Sequence, residues 1–181
     1  MKDSFAELLK TRRSIRKYKT TAIEKHKLDM CLEAARLAPS ACNAQPWKFI
    51  TLSEPEQVAA FSAEVFGGVY AMTAFARKAP VLVAVVADKG NIVSWVGNQV
   101  RNTAFSLIDI GIACENFVLQ AHELGLGTCI IGWFNEKNAA KYLKCPSGRK
   151  VELLISVGYP DENPEPRPRK KLEDISSQNF Y

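Results

Sequence analysis

Residues 104–119 run Ala104-Phe105-Ser106-Leu107-Ile108-Asp109-Ile110-Gly111-Ile112-Ala113-Cys114-Glu115-Asn116-Phe117-Val118-Leu119, with only Ser106, Asp109, Glu115 and Asn116 polar. The helical pattern extends from about Asn98 to Leu124, and Gly125 ends it. A helix apolar on nearly every side lies inside a bundle or is covered by a partner subunit. Asp109 and Glu115 stand six positions apart, a spacing at which two helical carboxylates do not face each other. Capping or interface roles therefore suit them better than paired acid–base work.

Working outward, Thr128 to Gly132 (TCIIG) is a short strand. A helix over about Glu136 to Leu143 and a last strand, Val151 to Val157, follow. Upstream, Pro80 to Ala87 (PVLVAVVA) is a β-branched run closed by Asp88-Lys89-Gly90, the signature of a buried strand and a turn. Trp47 to Leu52 (WKFITL) alternates as a half-buried strand does. Ser4 with Glu7, ahead of Phe5, Leu8 and Leu9, predicts a first helix, and Thr11 to Thr20 a basic non-helical stretch. Thr21 with Glu24 predicts a second helix that turns Leu28, Cys31, Leu32 and Ala35 to one face before Pro39. Ser53 and Glu56, with Pro55 in the first turn, open a third running to about Val65. Helices and strands without strict βαβ alternation favour an α+β fold over a doubly wound sheet.

The 181 residues carry 24 Lys and Arg against 19 Asp and Glu, a formal charge of +5. Six cations fall in one acid-free stretch, Lys10, Arg12, Arg13, Arg16, Lys17 and Lys19, and four more are Arg167, Arg169, Lys170 and Lys171. Without those ten, 14 basic residues face 19 acidic ones, so the body is mildly acidic. That pattern suits local anion sites and argues against nucleic acid as a partner. No apolar run approaches the ~20 residues of a membrane helix, and the charged MKDSFAELLK start does not have the form of a signal peptide. Five cysteines with no CxxC pair point to reduced thiols and a cytoplasmic location. The division expected is a body over 1–158 and a proline-rich segment over 159–181, either a disordered tail or an arm lying on another subunit.

Familiar motifs of other chemistries are missing. Gly125 and Gly127 do not complete G-x-G-x-x-G and lie between a helix and a strand, the reverse of a dinucleotide turn. P-loop, H-E-x-x-H and G-x-S-x-G patterns are absent, and His26 and His122 alone do not make a zinc site, so no metal is expected. Arg12-Arg13-Ser14-Ile15-Arg16 is either a solvated basic loop or a phosphate cradle, arginine's planar fork being suited to phosphate oxygens. Ala38 to Trp47 (APSACNAQPW) is either a plain turn or a small-residue surface that a flat ligand can approach while amides contact its polar edge.

In order, RRSIRKY, LEAARLAPSACNAQPWKF, ENFVLQAHELGLGTCIIGWF and VGYP followed by R-P-R closely resemble the FMN-dependent nitroreductase family. The resemblance spans about Phe5 to Ile175 and is weakest between Phe66 and Arg101. It implies an α+β homodimer with a central, mostly antiparallel sheet flanked by helices. Two flavin sites would lie at the subunit interface, the 104–119 helix in the dimer core and residues 159–181 as an arm over the neighbour. Carried over position by position, Arg12, Arg13, Ser14 and Arg16 contact the phosphate, ribityl chain and ring edge of FMN. Pro39, Ser40 and Asn43 of the other subunit lie against the ring. Ile131 and Gly132 bring backbone N–H groups toward flavin N5, and Arg167 and Arg169 reach the phosphate. Where family members often have an acid before that glycine, this chain has Ile131, so any role of the acid's charge does not carry over.

The function so implied is FMN-dependent NAD(P)H oxidation by a ping-pong hydride transfer. Nitroaromatics, quinones or similar flat electrophiles would be the acceptors, and no side chain would be catalytic. Trp133, Phe134, Phe66 and Tyr70 are candidates to line the acceptor pocket. Alternatives are a dehalogenase or flavin-processing enzyme of the same family, or a non-enzymatic flavin carrier.

Overall fold

The computed structural model describes residues 4–88 and 103–181. Helix α1 (Phe5–Thr11) starts where Ser4 Oγ accepts the Glu7 amide at 3.3 Å. Helix α2 (Lys25–Arg36) begins later than the Thr21–Glu24 pair predicts. Its N-cap is Glu24, whose side chain makes no cap bond because it instead accepts the Tyr159 hydroxyl at 2.6 Å and pairs with Lys27 at 3.6 Å. A tertiary partner has outcompeted the local cap. Strand β1 (Trp47–Leu52) and helix α3 (Pro55–Val65, with proline at its first position) match expectation, and Glu54 rather than Ser53 precedes the helix. A 3-10 segment, Gly68–Lys78, follows in the stretch where the sequence offered no motif.

Strand β2 (Val81–Ala87) is followed by helix α4 (Phe105–Glu123), then β3 (Gly127–Ile131), α5 (Glu136–Tyr142) and β4 (Lys150–Gly158). Residues 98–102 of the expected long helix lie outside the described residues, and Thr103 and Ala104 precede its first turn. The four strands form one sheet in the order β1-β2-β4-β3, every neighbouring pair antiparallel. With helices on both faces, this is the α+β architecture expected.

The continuous apolar run of β2 is explained by its central position. Leu82, Ala84 and Val86 point into one core with Phe61, Val65 and Leu154. Val81, Val83 and Val85 point into the other, with Leu28, Cys31, Ala113 and Phe117 of α2 and α4. Helix α4 buries Ile110, Ala113, Cys114, Phe117, Val118 and Ala121 against α2 and the sheet, yet leaves Leu107, Ile108 and Ile112 exposed. Its apolar circumference is therefore half used within the protomer. The five cysteines form no disulfide, and no helix among the described residues is long and apolar enough to cross a membrane.

What fixes the basic stretch to this body is a pair of glycines. Gly127 and Gly158 are register partners at the end of the β3–β4 ladder. A Cβ on Gly127 would stand 2.7 Å from Ile15 Cγ1, and one on Gly158 would stand 2.7 Å from both Tyr18 Cδ1 and Pro80 Cδ. Ile15 and Tyr18 thus lie on bare backbone, and the Ile15 and Lys19 amides donate to the Thr128 and Tyr159 carbonyls, both at 2.9 Å. The Tyr18 hydroxyl donates to the Ile15 carbonyl and lies 2.7 Å from Ser156 Oγ, while burial pushes its acidity constant well above the ordinary value. Gly158→Ala should cost about 1–3 kcal/mol, the usual range for overpacking, read as a lower urea midpoint with an unchanged slope. A variant as stable as the parent would show that the Tyr18 seat yields.

Candidate functional site

Residues 12–16 run along the free edge of β3, Ser14 forming a parallel bridge with Thr128. Arg12 ends α1, its amide donating to the Leu8 carbonyl at 3.0 Å, and its Nε lies 3.9 Å from Glu115 Oε1 on α4. Arg13 Nη1 donates to the Lys10 and Arg12 carbonyls at 2.6 and 2.9 Å, folding its guanidinium back on the loop. Its Nε is buried with no hydrogen-bond partner among the described residues. Glu162 Oε1 accepts the Arg16 and Lys17 amides at 2.5 and 3.2 Å, while Arg16 Nη1 donates to the Ser14 carbonyl at 3.4 Å and its guanidinium carbon stands 5.7 Å above the Phe75 ring.

The chain beyond β4 returns to the same place. Tyr18 bridges Pro160, and the Asp161 amide donates to the Lys17 carbonyl at 2.9 Å. Residues 164–169 then form the far wall of a cleft of about 570 Å3. The cleft brings together Arg12, Arg13, Ser14 and Arg16 with Arg167 and Arg169, adding Lys10, Leu9 and Pro166, with Glu165 as its acid. Six cations around one carboxylate repel each other unless an anion sits among them. The orphaned Arg13 Nε is a further donor in want of an acceptor, since a buried unpaired N–H costs on the order of 1–3 kcal/mol. A phosphate monoester matches both requirements.

The other expected residues lie elsewhere. Pro39, Ser40 and Asn43 belong to the turn between α2 and β1 and do not line the cleft. That turn is strained: Cys42, Asn43 and Gln45 have φ of 53, 50 and 45°, in a region that costs a non-glycine residue about 1 kcal/mol or more. Ile131 is buried at the end of β3 opposite Leu154, and Gly132 is exposed just beyond. A Cβ on Gly132 would meet only Leu153 Cδ2, at 3.9 Å, so packing within the protomer does not require a glycine there. Of the four aromatic candidates, Phe66 and Phe134 are core residues, buried within the protomer. Tyr70 and Trp133 do meet at the surface, ring centroids 5.3 Å apart, with Trp133 54 % exposed and its Nε1 donating to the Val69 carbonyl at 3.0 Å.

Glu162 and Phe75 were not singled out in the sequence, and Asp109, whose carboxylate accepts the Ala41 amide, and Glu115, near Arg12, were read there only for capping or interface roles. Each acts on a segment far away in the chain, and nothing local signals the pairing.

A sequence model of the nitroreductase family matches residues 9–74 and 69–159. An FMN-dependent nitroreductase from Clostridium difficile R20291 is 34 % identical and superposes with a TM-score of 0.78, covering 98 % of this chain and 100 % of that one. A nitroreductase family protein from Clostridium novyi NT is 31 % identical with a TM-score of 0.75, covering 88 % and 87 %. The FMN reductase [NAD(P)H] of Bacillus subtilis is 27 % identical over 181 residues, spanning 93 % of this chain and 71 % of that protein.

Burial pushes the Cys31 and Cys114 thiols up to about 12, whereas Cys42 is exposed on the strained turn. Alkylation at mildly alkaline pH should therefore mark Cys42 well ahead of Cys31 and Cys114, followed by peptide mass spectrometry. Early labelling of the buried pair would mean that the α2–α4 packing opens in solution.

Proposed function

This chain belongs to the nitroreductase family, and we propose that it is a homodimeric, FMN-dependent NAD(P)H oxidoreductase acting on flat electrophiles such as nitroaromatics or quinones. The observation that carries the reading is the meeting of both basic clusters, some 150 residues apart in the chain, in one cleft. Arg12, Arg16, Arg167 and Arg169 would hold the phosphate of FMN, neutralising a charge of about −1.5 to −2. The Ser14 hydroxyl would supply a donor beside it. Bound there, FMN would supply two-electron hydride chemistry between a nicotinamide donor and a second substrate, each using the site in turn.

The protein's part is orientation and electrostatics. The open backbone at Gly132 leaves space for a ring to approach the end of β3. The neighbouring Trp133 and Tyr70 offer an aromatic surface on which a flat acceptor can stack. No side chain is assigned as acid or base, and solvent supplies the protons. Pro39, Ser40 and Asn43 would complete the site from the other subunit.

Two features support the dimer. Leu107, Ile108 and Ile112 form an exposed apolar stripe on α4, and Gly111 among them has open space where a side chain would go. Glycine in a helix costs about 0.5–1 kcal/mol relative to alanine, so its place on this stripe suits close approach by a second copy. The 159–181 segment, with Leu172, Ile175, Phe180 and Tyr181 exposed, would be the arm that lies across that copy.

Anaerobic titration should show a bound flavin bleached by NADH or NADPH and re-oxidised by a quinone. Arg16→Ala or Arg167→Ala should weaken FMN binding roughly tenfold or more, the worth of a charge-assisted hydrogen bond. Protein that binds no FMN, or binds it equally well in both variants, overturns the reading; bound flavin that neither nicotinamide reduces leaves a carrier. Ile108→Glu should shift the sedimentation of the purified protein from dimer to monomer, and a variant that stays dimeric removes α4 from the interface.

A further inference from the structure

The strained turn after α2 is held together by itself but not held in place by itself. The Asn43 amide donates to the Ser40 carbonyl, the Ala44 amide to the Ala41 carbonyl and the Gln45 amide to Ser40 Oγ, each at 3.0 Å. Gln45 Nε2 donates to Asn43 Oδ1 at 3.1 Å. All four bonds are local, so they define the shape of the turn and leave its position open. Among the described residues the Ala41 amide makes a long-range tie, donating at 3.1 Å to Asp109 Oδ1, on the first turns of α4.

Asp109 is an unusual choice for that place. It is 4 % exposed, beside Ile110 and within a helix otherwise chosen for apolar packing. A carboxylate withdrawn from water is costly unless donors engage it, and an apolar residue of similar size commonly packs at least as well. Among the described residues its hydrogen-bond partner is the Ala41 amide, one residue from Ser40 and two from Asn43. A charged acceptor makes that bond stronger than a neutral one.

We propose that Asp109 is the positioning residue of the 39–45 turn, tying it through the Ala41 amide to α4 so that Ser40 and Asn43 would be presented to the flavin of the second copy. The assignment rests on the cofactor reading above for its ligand but not for its geometry. Because α4 also carries the exposed stripe, the turn is referenced to the same helix that faces the second copy.

The test compares the wild type with Asp109→Ala, Asp109→Asn and Ile110→Val, the last thinning the core on the same helix turn without touching the amide. Asp109→Leu runs beside the alanine variant, so that a failure of one to fold leaves the other. Hydrogen exchange of the flavin-free protein reads geometry. Exchange at Ala41 to Gln45 should quicken in the alanine and leucine variants and return toward wild type in Asp109→Asn, whose amide oxygen still accepts. FMN titration with the visible spectrum reads purpose: affinity should fall roughly tenfold or more in the alanine and leucine variants and far less in Asp109→Asn and Ile110→Val. Unchanged exchange at the turn overturns the assignment even if FMN binds well. Quickened exchange with affinity lost no more than in Ile110→Val also overturns it, making Asp109 merely structural. Wild-type protein that takes up no FMN, with exchange still governed by residue 109, overturns the cofactor reading and the ligand half of the assignment, and leaves the anchor standing.

Discussion

The arrangement depends on two side chains that are missing. Gly127 and Gly158 face each other at one end of the β3–β4 ladder, and over them lie Ile15 and Tyr18, closer than any Cβ permits. That contact turns a basic stretch, which electrostatic self-repulsion would otherwise push into solvent, into an extra segment along the edge of the sheet. Once Ile15 is seated, the residues on either side of it have little freedom. Arg13 folds back onto the carbonyls of its own loop, and Glu162 holds the Arg16 and Lys17 amides. The same seat guides the chain leaving β4, because Pro160 and Asp161 pair with Tyr18 and Lys17. A steric vacancy in the sheet therefore brings the two halves of a charged cleft together.

Helix α4 is the second organiser, and its few polar residues are its points of attachment. Asp109 accepts the Ala41 amide, Asn116 donates to the Ala34 carbonyl at 3.2 Å, and Glu115 stands 3.9 Å from Arg12. Each reaches a different segment: the strained turn, the end of α2 and the start of the basic loop. In a helix whose other residues serve packing, polar groups persist where they make specific contacts, since their desolvation is otherwise unrewarded. One helix thus makes polar contacts with three separate segments.

Most elements were legible because their signals are local. The helix starts at Ser4 and Pro55, the apolar face of α2 and the strands over residues 47–52 and 81–87 follow from capping and period alone. The misses share one cause. Thr21–Glu24 reads as a cap until Tyr159, 135 residues away from Glu24, takes the carboxylate. Phe66 and Phe134 look like pocket aromatics until the core claims them, whereas Tyr70 and Trp133 remain at the surface. The 3-10 segment at Gly68–Lys78 has too irregular a period to announce itself.

By itself, the amino-acid order determined the α+β class, the identity of the apolar helix and the family, because capping, hydrophobic period and motif order are properties of short stretches. It also determined that the net charge resides in two clusters on a mildly acidic body. Only the tertiary structure decided that those clusters share one cleft, that Arg13 Nε has no acceptor among the described residues, and that a buried carboxylate on α4 accepts an amide of the strained turn. These are distances between residues remote in the chain, set by how Ile15 and Tyr18 pack on bare glycine, and no local pattern encodes them.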